Sequence, residues 1–390
     1  MFNMIDLKVA IIEPVGGHGG MNYYDFGLLA ALKDLGVRAT LYTCSVTEVP
    51  PVHRSETFCF FVNIYGSTHK LIRFVRFISG LVKSLRHAKS TGVKIVHYHM
   101  FSYGVLELTE IVLAKIFGMA IVTTVHDVES FAAGSSLRVS RYIFNKSDAI
   151  IVHNIFSKKS ITGLGINDIS KINIVPSGNY IDFVHKAPSR SNARKFLNIS
   201  DSSKVTLFFG QIKQVKGLDI LLNAWEKTHN AVPESLLLVA GKLWKDDFNA
   251  YADLIGKFSS TDMIRLDIRY IPDIEALSFF AAADLVVLPY RRIYQSAVLL
   301  MAMSHARAVV VSDLPGMIEV INTGINGFVF SSNDSEDLSD VLISALQDDM
   351  KREAVAEAGF VTMNNEYGWH QIGEKTKSVY ENVCSKLGLN

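Results

Sequence analysis

The chain has 390 residues, of which 49% are apolar and 20% charged, and its formal net charge is +1. This length exceeds one ordinary hydrophobic core and predicts two globular domains, and the near-neutral charge gives no reason to expect nucleic acid as a partner. Three widely spaced cysteines argue against a disulfide framework or a structural zinc site and fit a reducing, cytoplasmic location. Since no leader-like segment or apolar run of about 18 residues occurs, any membrane contact should be peripheral.

Short β-branched apolar runs alternate with amphipathic stretches in the first half of the chain. Strands are predicted at 8–13, 38–43, 94–99, 120–126, 149–154 and 171–178, with helices around 23–35 and 103–117. Strands separated by helices at this spacing indicate a parallel sheet covered on both faces. Residues 1–185 are therefore predicted to form one doubly wound, Rossmann-like domain.

The pattern restarts after the polar stretch 186–204. Strands are predicted at 205–210, 235–241, 267–272, 284–290, 308–313 and 327–330. This predicts a second doubly wound domain over 200–365, followed by a C-terminal segment at 366–390. Ligands of such sheets bind beyond the carboxyl ends of the strands, so two facing domains imply an interdomain cleft lined by these loops.

A glycine-rich loop follows the first strand. Gly16, Gly17, Gly19 and Gly20 surround His18 and precede a helix, whose N-terminal amides and dipole favour phosphate. The alternative is a tight strand-to-helix turn without a ligand. The spacing is not that of the dinucleotide fingerprint, and no acidic residue ends the second strand, so NAD binding is disfavoured.

Titratable residues follow two other strands. His126 and Asp127 lie where the apolar strand at 120–126 ends and could face the cleft. The alternative is that His126 is a structural hydrogen-bonding residue. His97 and His99 alternate within their strand and are expected to be structural. In the second domain Lys213 and Lys216 follow Gly210, where ammonium groups can neutralise a diphosphate or simply be solvated.

Ser296 is predicted to cap a helix over 298–304. The amides at 296–298 would then form a second anion site, unless the helix is only a well-capped crossover.

Seven motifs in order resemble glycosyltransferase family 4 and its GT-B relatives, in a variant subgroup similar to bacterial exopolysaccharide transferases. They are GGHGGM (16–21), TVHDV (124–128), VPSGNYIDF (175–183), G-x5-KG (210–217), ADLVVLPY (283–290), VVVSDLPGMIEVI (309–321) and NGFVF (326–330). The terminal segment with Trp369 and Tyr380 resembles the family's C-terminal helix, which crosses back onto the first domain.

The resemblance implies a GT-B fold and transfer of a hexosyl group from a UDP- or GDP-sugar to a saccharide or lipid-linked acceptor. It implies catalytic roles for His126, Asp127 and Lys216. Donor binding is assigned to Gly17, His18, Gly19, Gly20, Gln211, Lys213, Lys216, Ile271, Tyr294, Gln295, Ser296, Ala297, Val298 and Glu319.

The sequence departs from the family pattern in two places. Gln211 stands where arginine is common, so Lys213 is expected to supply the charge. Ile293 and Met301 replace two glutamates that address the donor sugar and its ribose, and neither can accept a hydrogen bond from a hydroxyl. Retention of configuration is expected from the resemblance, with Asp127 and Glu13 as candidate bases for an inverting enzyme. A nucleotide-sugar epimerase and a non-catalytic partner subunit are the alternatives.

No D-x-D pair lies in a metal-binding loop, so no metal cofactor is expected. Residues 67–92 carry basic side chains around an apolar stripe. Such a helix either lies on an anionic membrane surface or packs on its own domain. In the first case the enzyme would act in polysaccharide synthesis at the inner face of the membrane.

Overall fold

The computed structural model describes residues 6–17, 20–128 and 136–389, which form two compact units. The first unit runs to Gly178 and resumes at Tyr367, and the second is Asn179–Glu366. None of the helices within those ranges combines the length and the apolar character that crossing a membrane demands.

The first unit contains a seven-stranded parallel sheet in the order β3-β2-β1-β4-β5-β6-β7. Its strands are β1 Lys8–Glu13, β2 Arg38–Cys44, β3 Thr57–Phe61, β4 Ile95–Met100, β5 Ala120–Val125, β6 Ala149–Val152 and β7 Ile172–Ile174. Its helices are α1 Met21–Asp34, α2 Lys70–Ser90, α3 Val105–Ile116, α4 Leu137–Lys146 and α5 Ile155–Gly163.

The second unit contains a six-stranded parallel sheet in the order β10-β9-β8-β11-β12-β13. The strands are β8 Lys204–Phe209, β9 Ser235–Ala240, β10 Ile264–Asp267, β11 Leu285–Leu288, β12 Ala308–Ser312 and β13 Phe328–Phe330. The helices are α6 Ile181–Val184, α7 Arg190–Phe196, α8 Leu218–Ala231, α9 Asn249–Ile255, α10 Asp273–Ala282, α11 Ala297–Ser304, α12 Pro315–Ile318, α13 Ser335–Gln347 and α14 Asp349–Glu366.

Helix α15, Trp369–Leu387, completes the first unit by packing against α1. The Tyr380 hydroxyl lies 2.7 Å from His97 Nδ1, beneath the sheet. The Trp369 ring lies against Gly27 and Gly178, where an added Cβ would come within 2.2 Å and 2.4 Å of it. Both glycines are therefore required by the close approach of the indole.

The central strands of both sheets are buried on both faces, which explains their near-continuous apolar sequences. Strand order reverses between β1 and β4 in the first sheet and between β8 and β11 in the second. In doubly wound sheets ligands bind beyond the carboxyl ends of the strands at this reversal. The loops after these four strands are consequently where a site is expected.

Two sequence-based strand assignments differ from the structure. The strand predicted at 267–272 is wrong: β10 ends at Asp267, and the Arg269 amide folds back to the Asp267 carbonyl at 3.0 Å. The sequence pattern also missed β3, whose edge position leaves most of its residues half-buried. Short strands at sheet edges carry little of the buried apolar pattern that identifies central strands.

The segment after Gly178 belongs to the second unit. Asn179 Nδ2 donates to the Met363 carbonyl at 2.9 Å, and the Tyr180 amide donates to Ser304 Oγ at 3.0 Å. Residues 179–185, assigned to the first domain from the sequence, thus contact α11 and α14 of the second unit.

Candidate functional site

The loops that follow β8 and β11 are joined by main-chain and side-chain contacts. The Arg291 amide donates to the Val215 carbonyl at 2.9 Å. The Arg291 guanidinium makes two 2.6 Å hydrogen bonds to the Asp219 carboxylate in the first turn of α8. A bidentate pair of this kind fixes both distance and orientation, so the two loops form one surface at the strand reversal.

Gly217 and Lys216 lie at the centre of this surface. Gly217 has a φ of +67°, and a Cβ at this position would lie 1.9 Å from the Pro289 carbonyl oxygen. No other residue type fits this position. Lys216 Nζ lies 3.6 Å from the centroid of the Tyr290 ring, a cation–π contact that holds the ammonium group beside the junction of the loops.

The N-terminus of α11 lies next to Gly210. The Ser296 hydroxyl accepts a hydrogen bond from the Leu299 amide at 3.2 Å, which confirms the predicted cap. The Val298 methyl Cγ2 lies 3.5 Å from the position that a Cβ on Gly210 would occupy. Ala297 is exposed and Val298 half-buried. The first-turn amides of α11 and the loop carrying Lys216 therefore border the same carboxyl edge.

The segment between β11 and α11 carries the departures from the family pattern. Ile293 and Met301 are half-buried, and the backbone of Tyr294 packs on Gly316, where a Cβ would lie 2.4 Å from the Tyr294 carbonyl oxygen. Gln295 Oε1 is buried without a hydrogen-bond partner among the described residues. Gln295 thus supplies an unsatisfied acceptor in the segment that lacks the expected carboxylates.

The other predicted donor residues of this unit lie at its margins. Gln211 is exposed, and Lys213 Nζ lies 5.9 Å from the Trp244 ring centroid, whereas Lys216 has the shorter aromatic contact. Ile271 is buried beyond the outermost strand, β10, and Glu319 is exposed just past α12. Lys216, through its contact with Tyr290, and Val298, through its proximity to Gly210, both lie where β8 and β11 end.

In the first unit, the glycine loop folds over a buried carboxylate. Glu13, at the end of β1, accepts hydrogen bonds from the amides of Val15 at 2.8 Å and Gly16 at 2.5 Å. Burial raises the pKa of Glu13 to about 7. Burial and the neighbouring Glu13 carboxylate raise the pKa of Asp25 well above its usual value.

These contacts limit what the loop and Glu13 can do. The amides of Val15 and Gly16 are occupied, so they are not open to a phosphate. Glu13 is fully buried and bonded to its own loop, so the predicted role of Glu13 as a base acting on substrate does not fit. Gly17 and Gly20 are half-buried and their phosphate contact stays a prediction; His18 and Gly19 lie outside the described residues.

Histidines at the carboxyl ends of β4, β5 and β6 form a row. Val125 pairs with Val152, so the next residues, His126 and His153, are neighbours, and His126 Nδ1 lies 3.1 Å from His153 Nε2. His153 Nδ1 lies 2.9 Å from the Val175 carbonyl. Burial lowers the pKa of His126 well below its usual value and that of His153 to about 4, so both imidazoles are neutral at pH 7.

The two histidines within β4, His97 and His99, differ in their hydrogen-bond partners. Both ring nitrogens of His97 lie 2.7 Å from hydroxyls, those of Tyr380 and Thr124, as a structural role requires. His99 Nδ1 lies 3.6 Å from Asp25 Oδ1 and makes no hydrogen bond within the described ranges. Among residues 6–17, 20–128 and 136–389, no group of three or more His, Cys, Asp or Glu side chains could hold a metal ion.

Sequence reasoning selected His126 but missed His153 and Asp25. A usable signal was present, because the segments KIVHYH, TTVH and AIIVH each place a histidine at or next to the end of a strand. Aligned strand ends in one parallel sheet bring such residues together. Asp127, the other predicted catalytic residue, is half-buried, and its carbonyl accepts a 2.7 Å hydrogen bond from the Tyr103 hydroxyl.

Two family models match the chain in succession. Residues 18–182 match Glycosyltransferase Family 4, and residues 203–348 match Glycosyl transferases group 1. The chain is a family 4 glycosyltransferase. This confirms the resemblance carried by the seven motifs.

Curated relatives of this glycosyltransferase span nearly its whole length. The D-inositol 3-phosphate glycosyltransferase of Thermobispora bispora is 22% identical, covering 95% of this chain and 92% of the relative. That of Pseudarthrobacter chlorophenolicus is 24% identical, covering 94% and 90%.

Solved structures confirm the fold of this family 4 enzyme. The Anabaena protein Alr3699/HepE in complex with UDP has a TM-score of 0.75 at 17% identity, covering 96% of this chain and 100% of that one. Sucrose-phosphate synthase from Thermosynechococcus elongatus has a TM-score of 0.78 at 17% identity, covering 97% and 100%. The two parallel-sheet units have the GT-B fold, as predicted from the sequence.

Proposed function

We propose that this glycosyltransferase transfers a sugar from a nucleoside diphosphate sugar to a saccharide acceptor, with the diphosphate bound at the carboxyl edge of β8 and β11. The observation that carries the proposal is that Lys216, over the Tyr290 ring, and the N-terminus of α11, beside Gly210, both lie at the carboxyl ends of β8 and β11, where the strand order reverses. A cation and bare helix amides together form a site for an anion. The Anabaena relative has been solved with UDP and with UDP-glucose, so a UDP-sugar is the first donor to test.

Departure of the nucleoside diphosphate develops negative charge on its terminal phosphate. Lys216 and the amides of Ala297 and Val298 would stabilise that charge, which is the work that a divalent metal performs in other transferases. We therefore propose turnover without a metal. Addition of EDTA should leave the rate unchanged, and a loss of turnover that magnesium restores would contradict the proposal.

The donor sugar is proposed to be held without the two family glutamates. Gln295 carries a buried acceptor that lacks a partner among the described residues, and Tyr294 and Ser296 flank it. An amide and two hydroxyls can bond sugar hydroxyls where Ile293 and Met301 cannot. Retention of configuration is proposed from the family, and the anomeric coupling in the proton spectrum of the product decides it.

Lys216→Met tests the anion site directly. Loss of the ammonium group should lower kcat/KM about 100-fold, the usual cost of removing one group that stabilises a developing charge. Lys257→Met is the matched control, because Lys257 is an exposed lysine in the segment before β10, at the opposite edge of the same sheet. Equal activity of the two variants would refute the role of Lys216.

The donor is identified by thermal shift. A nucleotide that binds the native chain raises the melting temperature by mass action, so UDP, GDP, CMP and ADP and their sugars should be compared. The rise should disappear in Lys216→Met and persist in Lys257→Met. Incubation with donor alone separates the transferase from an epimerase, since only an epimerase converts the whole donor without an acceptor.

A lipid-linked acceptor is proposed from the surface of α2. The C-terminal half of this helix packs on its own unit, with Leu81 and Leu85 fully buried. In its first turns Leu71 and Val75 are 64% and 59% exposed, beside the basic residues 70, 73 and 76. Exposed apolar side chains next to basic ones suit an anionic membrane surface.

Vesicle binding tests this surface. The enzyme should sediment with vesicles rich in phosphatidylglycerol at low salt and remain in solution with phosphatidylcholine vesicles. The double change Leu71→Asp and Val75→Asp should abolish binding, whereas Met350→Asp, at a residue of α14 that is 84% exposed, should not. Equal sedimentation with both vesicle types would contradict the membrane proposal and leave the transferase proposal standing.

A further inference from the structure

The hydrogen-bonded pair of His126 and His153 determines which nitrogen of His126 carries its proton. His153 Nδ1 lies 2.9 Å from the Val175 carbonyl oxygen, and a carbonyl oxygen can only accept. The proton of His153 is therefore on Nδ1. A neutral imidazole has one N–H, so His153 Nε2 presents a lone pair.

The protonation of His153 determines that of His126. His126 Nδ1 lies 3.1 Å from His153 Nε2, and because His153 Nε2 carries a lone pair, this contact is a hydrogen bond only if His126 Nδ1 is the donor. His126 Nε2 is then the unprotonated nitrogen. That atom is buried and has no hydrogen-bond partner among the described residues.

The surroundings of His126 keep the ring in place. Phe101 stacks on it with ring centroids 4.5 Å apart and planes 6° apart, and the Tyr24 ring stands edge-on at 5.2 Å. His99 lies 5.3 Å away on β4, between His126 and the Asp25 carboxyl of α1. The Phe101 and Tyr24 rings form no hydrogen bond with His126, so its hydrogen bond with His153 is the polar contact that decides which nitrogen carries the proton.

We infer that His153 is a positioning residue that holds His126 in its Nδ1–H tautomer, so that His126 Nε2 accepts a hydrogen bond from a hydroxyl of the sugar substrate. This inference rests on the proposed function for the identity of the ligand. A lone pair repels a phosphate oxygen and attracts an O–H group. His126 would therefore select for a sugar hydroxyl and contribute nothing to binding of the nucleotide diphosphate.

Three substitutions of His153 separate its two hydrogen bonds. Glutamine places its carbonyl oxygen near the position of Nε2 and can still accept from His126 Nδ1. Asparagine reaches only the position of Nδ1 and can still donate to the Val175 carbonyl. Phenylalanine keeps the ring volume and makes neither bond, so packing alone is tested by comparing it with the other two.

The tautomer is read from long-range proton–nitrogen correlation spectra of the full-length protein labelled with ¹⁵N-histidine. The His126 signals are those lost in His126→Gln. The Nδ1–H pattern is expected in the wild type and in His153→Gln, and should be lost in His153→Asn and in His153→Phe. An Nε2–H pattern in the wild type, or an unchanged pattern in His153→Asn, would overturn the inference without touching the transferase proposal.

The ligand class is read from kinetics with the accepted nucleotide sugar and its monodeoxy derivatives. One deoxy derivative should lose at least 10-fold in kcat/KM with the wild type and with His153→Gln, and much less with His153→Asn. UDP alone should leave the His126 Nε2 resonance unshifted, whereas the nucleotide sugar should move it. A shift produced equally by UDP alone would overturn the assignment of a hydroxyl ligand.

Discussion

Replacing Glu13 with glutamine should change how the stability of the enzyme depends on pH. The pKa of Glu13 is about 7 in the native chain and about 4.5 when unfolded, because burial disfavours the carboxylate. Between these values the native chain binds more protons than the unfolded chain, so stability falls as the pH rises. At about 1.4 kcal/mol for each pH unit, the carboxylate costs about 3 kcal/mol above pH 7.

Glu13→Gln removes the pH-dependent cost of the buried carboxylate and introduces a cost that does not depend on pH. A glutamine amide offers one acceptor oxygen where the carboxylate offered two, so one of the amides of Val15 and Gly16 loses its partner, at about 1–3 kcal/mol at every pH. Glu13→Gln should thus be less stable than the wild type near pH 4.5. Its relative stability should rise by about 3 kcal/mol between pH 4.5 and pH 7.5.

Urea unfolding followed by circular dichroism at several pH values measures the difference, and hydrogen exchange of peptides from β1 and α1 shows that the change belongs to the first unit. Glu374→Gln, at an exposed glutamate of α15, is the control and should give a flat difference. Groups that do not interact with Glu13 titrate alike in both chains, whereas Asp25, whose pKa the Glu13 carboxylate raises, should titrate at a lower pH in the variant. If the stability of Glu13→Gln relative to the wild type stays constant or falls as the pH rises, the buried-carboxylate explanation is refuted.

Two further substitutions test the construction of the anion site. Gly217→Ala should destabilise the second unit by about 3 kcal/mol or more, since the Cβ meets the Pro289 carbonyl. Gly324 has a similar positive φ and open space around it, so Gly324→Ala is the control and should cost about 1 kcal/mol. Similar losses of stability in the two variants, measured by urea unfolding, would argue against the clash. Ser296→Ala should cost about 1 kcal/mol by freeing the Leu299 amide, and Ser296→Asp, which can still cap, should largely restore stability.

The central strands could be predicted because they are buried on both faces. Val9–Ile12 and Leu285–Leu288 have no exposed surface, and such continuous apolar runs are unambiguous when helices separate them. The segment 267–272 was misleading because Ile268 and Tyr270 alternate with the polar Asp267 and Arg269, as in a half-buried strand. Contacts elsewhere in the fold decide whether such a segment forms a strand, and here the chain turns back after Asp267.

The candidate site was predictable in position and only partly in detail. Strand ends locate loops, so Lys216 and the segment 294–298 followed from the pattern. The partnership of His126 with His153 depends on the register of β5 and β6, which one sequence does not fix. The hydrogen bonds from the loop amides to Glu13 could not be predicted either, because a glycine loop that binds a phosphate and one that binds its own carboxylate have the same composition.

The return of α15 to the first unit affects the order in which the enzyme can fold during synthesis. His97 and Tyr380 lie 283 positions apart along the chain, and α15 contributes Ile372, Val379 and Val383 to the buried interior beside β1 and β4. The second unit, which ends at Glu366, has been synthesised in full before those residues are added to the chain. One side of the core of the N-terminal sheet therefore stays uncovered until α15 has been synthesised. A chain truncated after Glu366 would contain the whole second unit and a first unit that exposes apolar surface.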